Sequence, residues 1–193
     1  GAAIDHPGVA ALSSDLIAAL LEPDALARAL DGLLGTVYTT SVSAASCALI
    51  CPVVERAISK GDAELRRKGA SFVRTLSQWA VDAEELGPYL ATLRPQLESL
   101  LADPTPAVRE AAAQAIGVLA AATSSPGGDE GDVASTLVEK LRSTREEAEM
   151  EGAAQGLAAA VAASEDRAEL FEQILQGARG GDGGRIGFLT VMA

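Results

Sequence analysis

Aromatic rings, histidine, cysteine and cations are all scarce in this chain. Phe, Tyr and Trp together make up 3% of its 193 residues, which disfavours a sheet built from aromatic and β-branched side chains and, beside abundant alanine, favours close helix-on-helix packing. Histidine occurs once, at His6, with no serine or cysteine motif around it, so a general base with positioned partners is missing. The two cysteines, Cys47 and Cys51, provide neither a disulfide framework nor the four ligands zinc takes. Four apart, they would share one face of a helix as small buried apolar residues, and their use fits a reducing cytosol. Fifteen Lys and Arg against 27 Asp and Glu leave a formal charge of −12. Phosphate binding draws on clustered cations, so direct nucleic-acid contact is not expected. No apolar run approaches the roughly 20 residues of a membrane span, and no signal peptide opens the chain.

What is present is a repeat. Leu65 to Val73 overlays Val108 to Ile116, and Cys51 to Ile58 overlays Arg94 to Leu101, with Pro52 and Pro95 standing 43 residues apart. A third copy follows 41 residues on, placing Gly152 to Leu157 under Ala111 to Ile116. A period in the low forties with two apolar helices per unit is the signature of HEAT-type repeats. With 48% hydrophobic and 22% charged residues the chain has material for a sizeable core. The fold expected is all-α, a HEAT-repeat α-solenoid of about three helical pairs with partial flanking repeats. The whole of 1–193 reads as one array: a partial repeat at 12–34, repeats at 44–80, 88–122 and 133–163, and a partial repeat at 166–192. An opening on Gly1, an apolar stretch just before Ala193 and ends without polar caps suggest a piece of a longer protein.

Local signals place the elements. Leucines at helical spacing mark an incomplete first pair, and Ser43 can cap a helix over 44–59 in which Pro52 should cause a bend, as should Pro95 one repeat later. Asp62 caps the next helix, with its apolar stripe Leu65, Phe72, Val73, Leu76 and Trp79. Pro88 is expected at the start of the following helix, where its missing N–H costs little. Asp103-Pro104-Thr105-Pro106 makes a tight corner, and the alanine-rich helix after it permits close approach of its neighbours. Residues 123–132 read as an exposed loop.

No catalytic, cofactor or metal site emerges. Gly177 to Arg185 is rich in glycine but lacks the Lys-Ser/Thr ending and the preceding strand of a phosphate loop. Glu84/Glu85 and Glu146/Glu147 are adjacent and point in different directions, so no acid/base dyad forms. Arg66, Arg67, Lys68 and Arg74 form the one basic cluster, more often a solvated face with local ion pairs than a phosphate site. Asp62 with Arg66, and Asp103 with Arg109, are placed to tie each corner to its second helix, and like charges of successive units could align into ladders. The contact surface expected is the line of second helices, around Arg66, Arg67, Arg74, Arg109 and Glu110.

Four motifs carry a family resemblance: Ala45 to Ala57, Leu86 to Leu90, Leu100 to Arg109 with its Asp-Pro-Thr-Pro-Ala-Val-Arg corner, and Gly152 to Ala158. In this order they resemble the central HEAT-repeat region of the ribosome-associated general-control translational activator (Gcn-one protein) family, related to the HEAT repeats of translation elongation factor three. The chain departs from the family pattern at Val37 to Val42 and in the loop from Thr123 to Asp132. The resemblance implies a non-enzymatic, cytoplasmic scaffold, with no cofactor and no membrane contact. By that resemblance it would sit on ribosomes and support activation of the kinase of initiation factor two alpha during amino-acid starvation. The implied partners are an ATP-binding-cassette protein, the ribosome, and the stress kinase through the parent protein. The repeat pattern alone also suits an elongation-factor-three-like ATPase, or a HEAT adaptor of transport or chromosome assemblies.

Overall fold

The computed structural model describes residues 6–38, 42–79, 83–123 and 133–163, together with Glu172. Of the loop expected over 123–132, Thr123 ends a helix, and 124–132 and, Glu172 apart, the partial repeat at 166–192 lie outside the described residues. Among those described run nine helices: α1 (Pro7–Ala11), α2 (Ser13–Leu21), α3 (Pro23–Gly35), α4 (Ala44–Lys60), α5 (Ala63–Trp79), α6 (Ala83–Leu100), α7 (Pro106–Thr123), α8 (Val133–Ser143) and α9 (Glu147–Ala163). None of them is long and apolar enough to cross a membrane. The chain divides into two compact units, Gly1–Gln96 and Leu97–Ala193, with the boundary inside α6.

The helices begin where side chains satisfy their first amides. The Ser43 hydroxyl accepts from the Ser46 N–H at 3.5 Å at the head of α4, and the Asp62 carboxylate accepts from the Leu65 N–H at 2.9 Å at the head of α5. Before α7 the Asp103 carboxylate accepts from the Thr105 N–H at 2.8 Å, and before α9 the Thr144 hydroxyl accepts from the Glu146 N–H at 3.3 Å. Asp103 and Thr144 stand 41 residues apart, so one corner device recurs at the repeat period.

Three elements differ from expectation. The short helix α1 is an addition: His6 accepts the Val9 N–H through Nδ1 at 3.4 Å, and Pro7 takes the first helical position. The start of α6 lies at Ala83 and places Pro88 inside the helix, because Ala83-Glu84-Glu85-Leu86 are good helix formers that extend it upstream. Within the repeat expected at 133–163, α9 begins only at Glu147, because the Thr144 turn occupies the residues before it. Pro52 and Pro95 lie inside continuous helices.

Each unit stacks its helices as pairs. In the first, α2 packs with α3 and α4 with α5, while α2 meets α4 and α3 meets α5. Leu16, Leu30, Leu33, Ile50, Phe72 and Leu76 fill that core. Its edge is closed by Tyr38, whose ring centroid stands 5.0 Å from that of His6 and 6.1 Å from that of Phe72, and whose hydroxyl donates to the Leu33 carbonyl at 3.1 Å. In the second, α8 packs with α9, and the second helices α7 and α9 pack on each other around Leu97, Leu101, Ile116, Leu137 and Leu141.

Small side chains set how closely that second unit packs. A methyl at Gly152 would run into the Leu101 backbone carbonyl, and one at Gly117 would meet the Ala159 backbone. Ala112, Ala113, Ala115, Ala153 and Ala154 are buried around these crossings, so the alanine bias of the sequence becomes backbone-to-backbone contact.

Two predictions follow from this packing. Gly152→Ala should lower unfolding free energy by about 3 kcal/mol, because rigid backbone cannot move aside. Gly35→Ala, which meets no atom within 4 Å, should be neutral or stabilise by about 0.5 kcal/mol; urea titration separates the two. Burial pushes the Tyr38 phenol up to about 12, partly offset by its hydrogen bond with Thr36. A raised native pKa contributes fully below the unfolded value near 10 and is lost as pH rises toward 12. Stability should therefore fall across pH 10–12 by about 2 kcal/mol more in the parent chain than in Tyr38→Phe.

Candidate functional site

The polar contacts between helices recur at about the repeat period. On α4 the Arg56 guanidinium donates to the Leu20 carbonyl at 2.6 Å, in the last turn of α2 and 36 residues earlier. On α8 the Lys140 ammonium donates to the Glu98 carbonyl at 3.1 Å, near the C-terminus of α6 and 42 residues earlier. Arg56 and Lys140 occupy equivalent positions of the first and third repeats. Each brings a cation to the carbonyl end of the preceding first helix, where unpaired acceptors and the helix dipole favour positive charge. At the intermediate level Gln96 on α6 donates to the Glu55 carboxylate of α4 at 3.3 Å, 41 residues away.

The second helices are joined by a stronger contact. Arg109, 7% exposed, donates through Nη1 to the carbonyls of Asp103 and Pro104 at 2.9 and 3.4 Å and through Nη2 to Glu151 of α9 at 2.5 Å. One guanidinium thus closes its own corner and grips the next second helix. Its counterpart Arg66 donates to the Gly61 carbonyl at 2.8 Å, and Gly61 and Pro104 are themselves 43 apart, so the corner bond is repeated in the first unit. Asp62 and Asp103 use their carboxylates on backbone amides, and the arginines reach the corner through carbonyls. On α5 the Lys68 ammonium crosses to Asp31 of α3 at 2.5 Å. Glu151, Arg56, Lys140 and Gln96 were not singled out by sequence, although the spacing of Arg56 and Lys140, one 43-residue and one 41-residue step, was a readable signal.

The structure sorts the residues expected at a contact surface. Arg109 is buried and engaged within its unit, its long side chain lying across the corner rather than into solvent. Arg66 is half-buried against its corner. Arg67 keeps a side chain 40% exposed and is bound by Glu64 through bonds of 2.9 and 2.7 Å. The Glu64 carboxyl is held below the usual carboxylate range by that hydrogen bond and charge, and the Arg67 guanidinium is raised in turn. Arg74 and Glu110 are exposed, and Glu110 accepts from Gln114 at 3.3 Å. Arg67, Glu110 and Glu151 are register-equivalent positions of α5, α7 and α9, and Ser71, Gln114 and Gln155 are the equivalents one turn on.

The remaining candidates lie elsewhere. His6 is 1% exposed and serves as the cap of α1. Cys47 and Cys51 are not joined by a disulfide and are buried on α4. Among the described residues no group of three or more His, Cys, Asp or Glu is arranged to hold a metal ion.

A family model described as "Elongation factor 3/GNC1 HEAT repeat" matches residues 25–130. The chain belongs to the elongation factor 3/GNC1 HEAT-repeat family. It is 34% identical over 178 residues to Protein ILITYHIA of Arabidopsis thaliana, a match covering 91% of this chain and 6% of that protein. It is 31% identical over 163 residues to the stalled ribosome sensor GCN1 of Homo sapiens, covering 84% and 6%. It is 32% identical over 120 residues to the eIF-2-alpha kinase activator GCN1 of Saccharomyces cerevisiae, covering 62% and 4%. The chain spans about 6% of the length of the first two of these relatives. No solved structure matches it. In this member of the family the paired helices and the periodic contacts that join them are thus assigned to HEAT repeats.

Arg109→Ala should lower unfolding free energy by about 2–3 kcal/mol, since it leaves two corner carbonyls and Glu151 without their donor, while partial exposure of Glu151 softens the loss. Arg109→Lys should recover less than half, because a point charge cannot bond both the corner and α9. Arg67→Ala should leave the melting temperature within error. Chemical denaturation of the three variants checks this ranking.

Proposed function

We propose that this chain is a non-enzymatic protein-binding segment of a GCN1-like scaffold, and that 1–193 forms one continuous HEAT array within the parent protein. Similarity to a stalled ribosome sensor and to an eIF-2-alpha kinase activator supports this reading. The parent would act in the cytoplasm on ribosomes, docking an ATP-binding-cassette partner and supporting activation of the initiation factor two alpha kinase. With a net charge of −12, this segment would bind protein rather than nucleic acid.

The observation that carries the reading is the division of labour on the second helices. Their inner faces and corner arginines are consumed by packing, and so is Glu151, whereas Arg67 on α5 of the first unit and Glu110 on α7 of the second keep side chains open to solvent. Recognition would use these positions within each unit, with Arg66, Arg67 and Arg74 in the first, and Glu110 in the second with Arg109 supporting α7 from within. Interfaces on repeat arrays work by area and shape, with charges at the rim setting partner choice and association rate.

The test uses the purified chain against purified ribosomes and, separately, a purified ATP-binding-cassette partner. The double variant Arg67→Glu/Arg74→Glu and the single variant Glu110→Lys should weaken binding to at least one of them by about tenfold without lowering the melting temperature. Equal binding by all variants would remove Arg67, Arg74 and Glu110 from the interface. No binding by the parent chain to either target would reduce the segment to a structural spacer.

A further inference from the structure

The two cysteines of α4 are used neither by the corner network nor by the proposed binding surface, yet they form the one pair of soft nucleophiles in the sequence. Cys47 and Cys51 are 2% and 3% exposed. Spaced four apart on a continuous helix, they lie on one face a single turn from each other. Their thiols hydrogen-bond to each other, and this contact, followed by burial and the nearby Glu55 charge, pushes the Cys51 thiol far above its ordinary range. The Tyr89 phenol of α6 lies close enough to be raised in its turn, by burial first and then by the two thiols.

The spacing decides what this pair can do. Helical neighbours four apart hold their Cβ atoms about 5–6 Å from each other, whereas a disulfide needs about 3.5–4.5 Å. Direct oxidation to an S–S bond would therefore require α4 to distort. Zinc takes four ligands and this face has two. A thiophilic centre that accepts two sulfurs and spans a gap wider than an S–S bond fits both limits, and its affinity for soft sulfur ligands does not need further donors.

We propose that Cys47 and Cys51 form a chelating dithiol site for trivalent arsenicals. In the reaction an organoarsenic(III) oxide, R–As=O, condenses with the two thiols. Two As–S bonds form, the As=O bond breaks, and both thiol protons leave with the oxygen as one water, with no change in oxidation state. Burial makes entry depend on transient opening of the packing around α4, so reaction is slow in the native chain.

Phenylarsine oxide added to the intact folded chain and followed by mass spectrometry tests this. One adduct per chain is expected, with loss of one water and simultaneous protection of both cysteines from a later alkylating reagent. A small dithiol competitor should reverse it. Cys47→Ser and Cys51→Ser should each weaken arsenical binding by about a hundredfold, because one-point attachment loses the chelate advantage. Helicity measured by circular dichroism in the same samples separates loss of the site from loss of fold. Undiminished affinity in either folded variant would overturn the proposal, as would failure of the folded parent chain to bind at equilibrium.

Discussion

The second unit depends on one buried guanidinium. Arg109 turns a corner and couples two helices at once, through the carbonyls of Asp103 and Pro104 and the carboxylate of Glu151. Burying a cation costs free energy unless its donors are matched, and here the corner provides carbonyl acceptors and the next repeat the countercharge for the two Nη groups, while Nε is buried without a partner. The corner can therefore be tight only when α9 is in place. That coupling suits a repeat protein, in which each level gains stability from contact with its neighbour rather than from a closed core. The close approach of α7 and α9 at Gly117 and Gly152 acts in the same direction. Two helices with almost no side-chain bulk between them gain dispersion over a long seam and lose it sharply if either tilts away.

A lighter version of the same principle joins the first helices. Arg56 and Lys140 each carry a positive charge to the carbonyl end of the helix before them. Because this contact relies on backbone carbonyls, it survives sequence change in the helix that receives it and requires only a long cation at one position. The acidic surplus of the chain is then distributed outward, at Glu110, Glu147 and Glu151, while much of its small stock of cations is held in contacts between or within helices. The basic cluster illustrates this. Arg66 closes a corner, Arg67 pairs with Glu64, and Lys68 crosses to Asp31.

Much of this was legible before any coordinates. The 43-residue echo located the helix pairs, Ser43 and Asp62 announced their helix starts, and the alanine runs anticipated backbone-close packing between α7 and α9. The family motifs around Asp103 to Arg109 and Gly152 to Ala158 led to the same repeats that the comparisons assign. What stayed hidden was decided by long side chains and by competition at helix ends. The pairing of Arg109 with its own corner was readable, but not that its guanidinium would take the corner through backbone carbonyls and reach Glu151 of α9 as well. Pro88 looked like a helix start because proline is welcome there, but four good helix formers upstream outweighed that preference. α1 escaped notice because it is capped by a histidine, an uncommon choice. The repeat register named Arg67 and Glu110 as equivalent positions without showing which of their neighbours packing would consume.

Native-state hydrogen exchange of α7 and α9 in the parent chain and in Arg109→Ala tests the central coupling most directly. If the buried guanidinium binds corner and neighbour into one cooperative level, amides along both helices should lose protection together and by the same factor. Loss confined to the corner amides around 105–109, with α9 protected as before, would contradict the account and leave Arg109 a local cap.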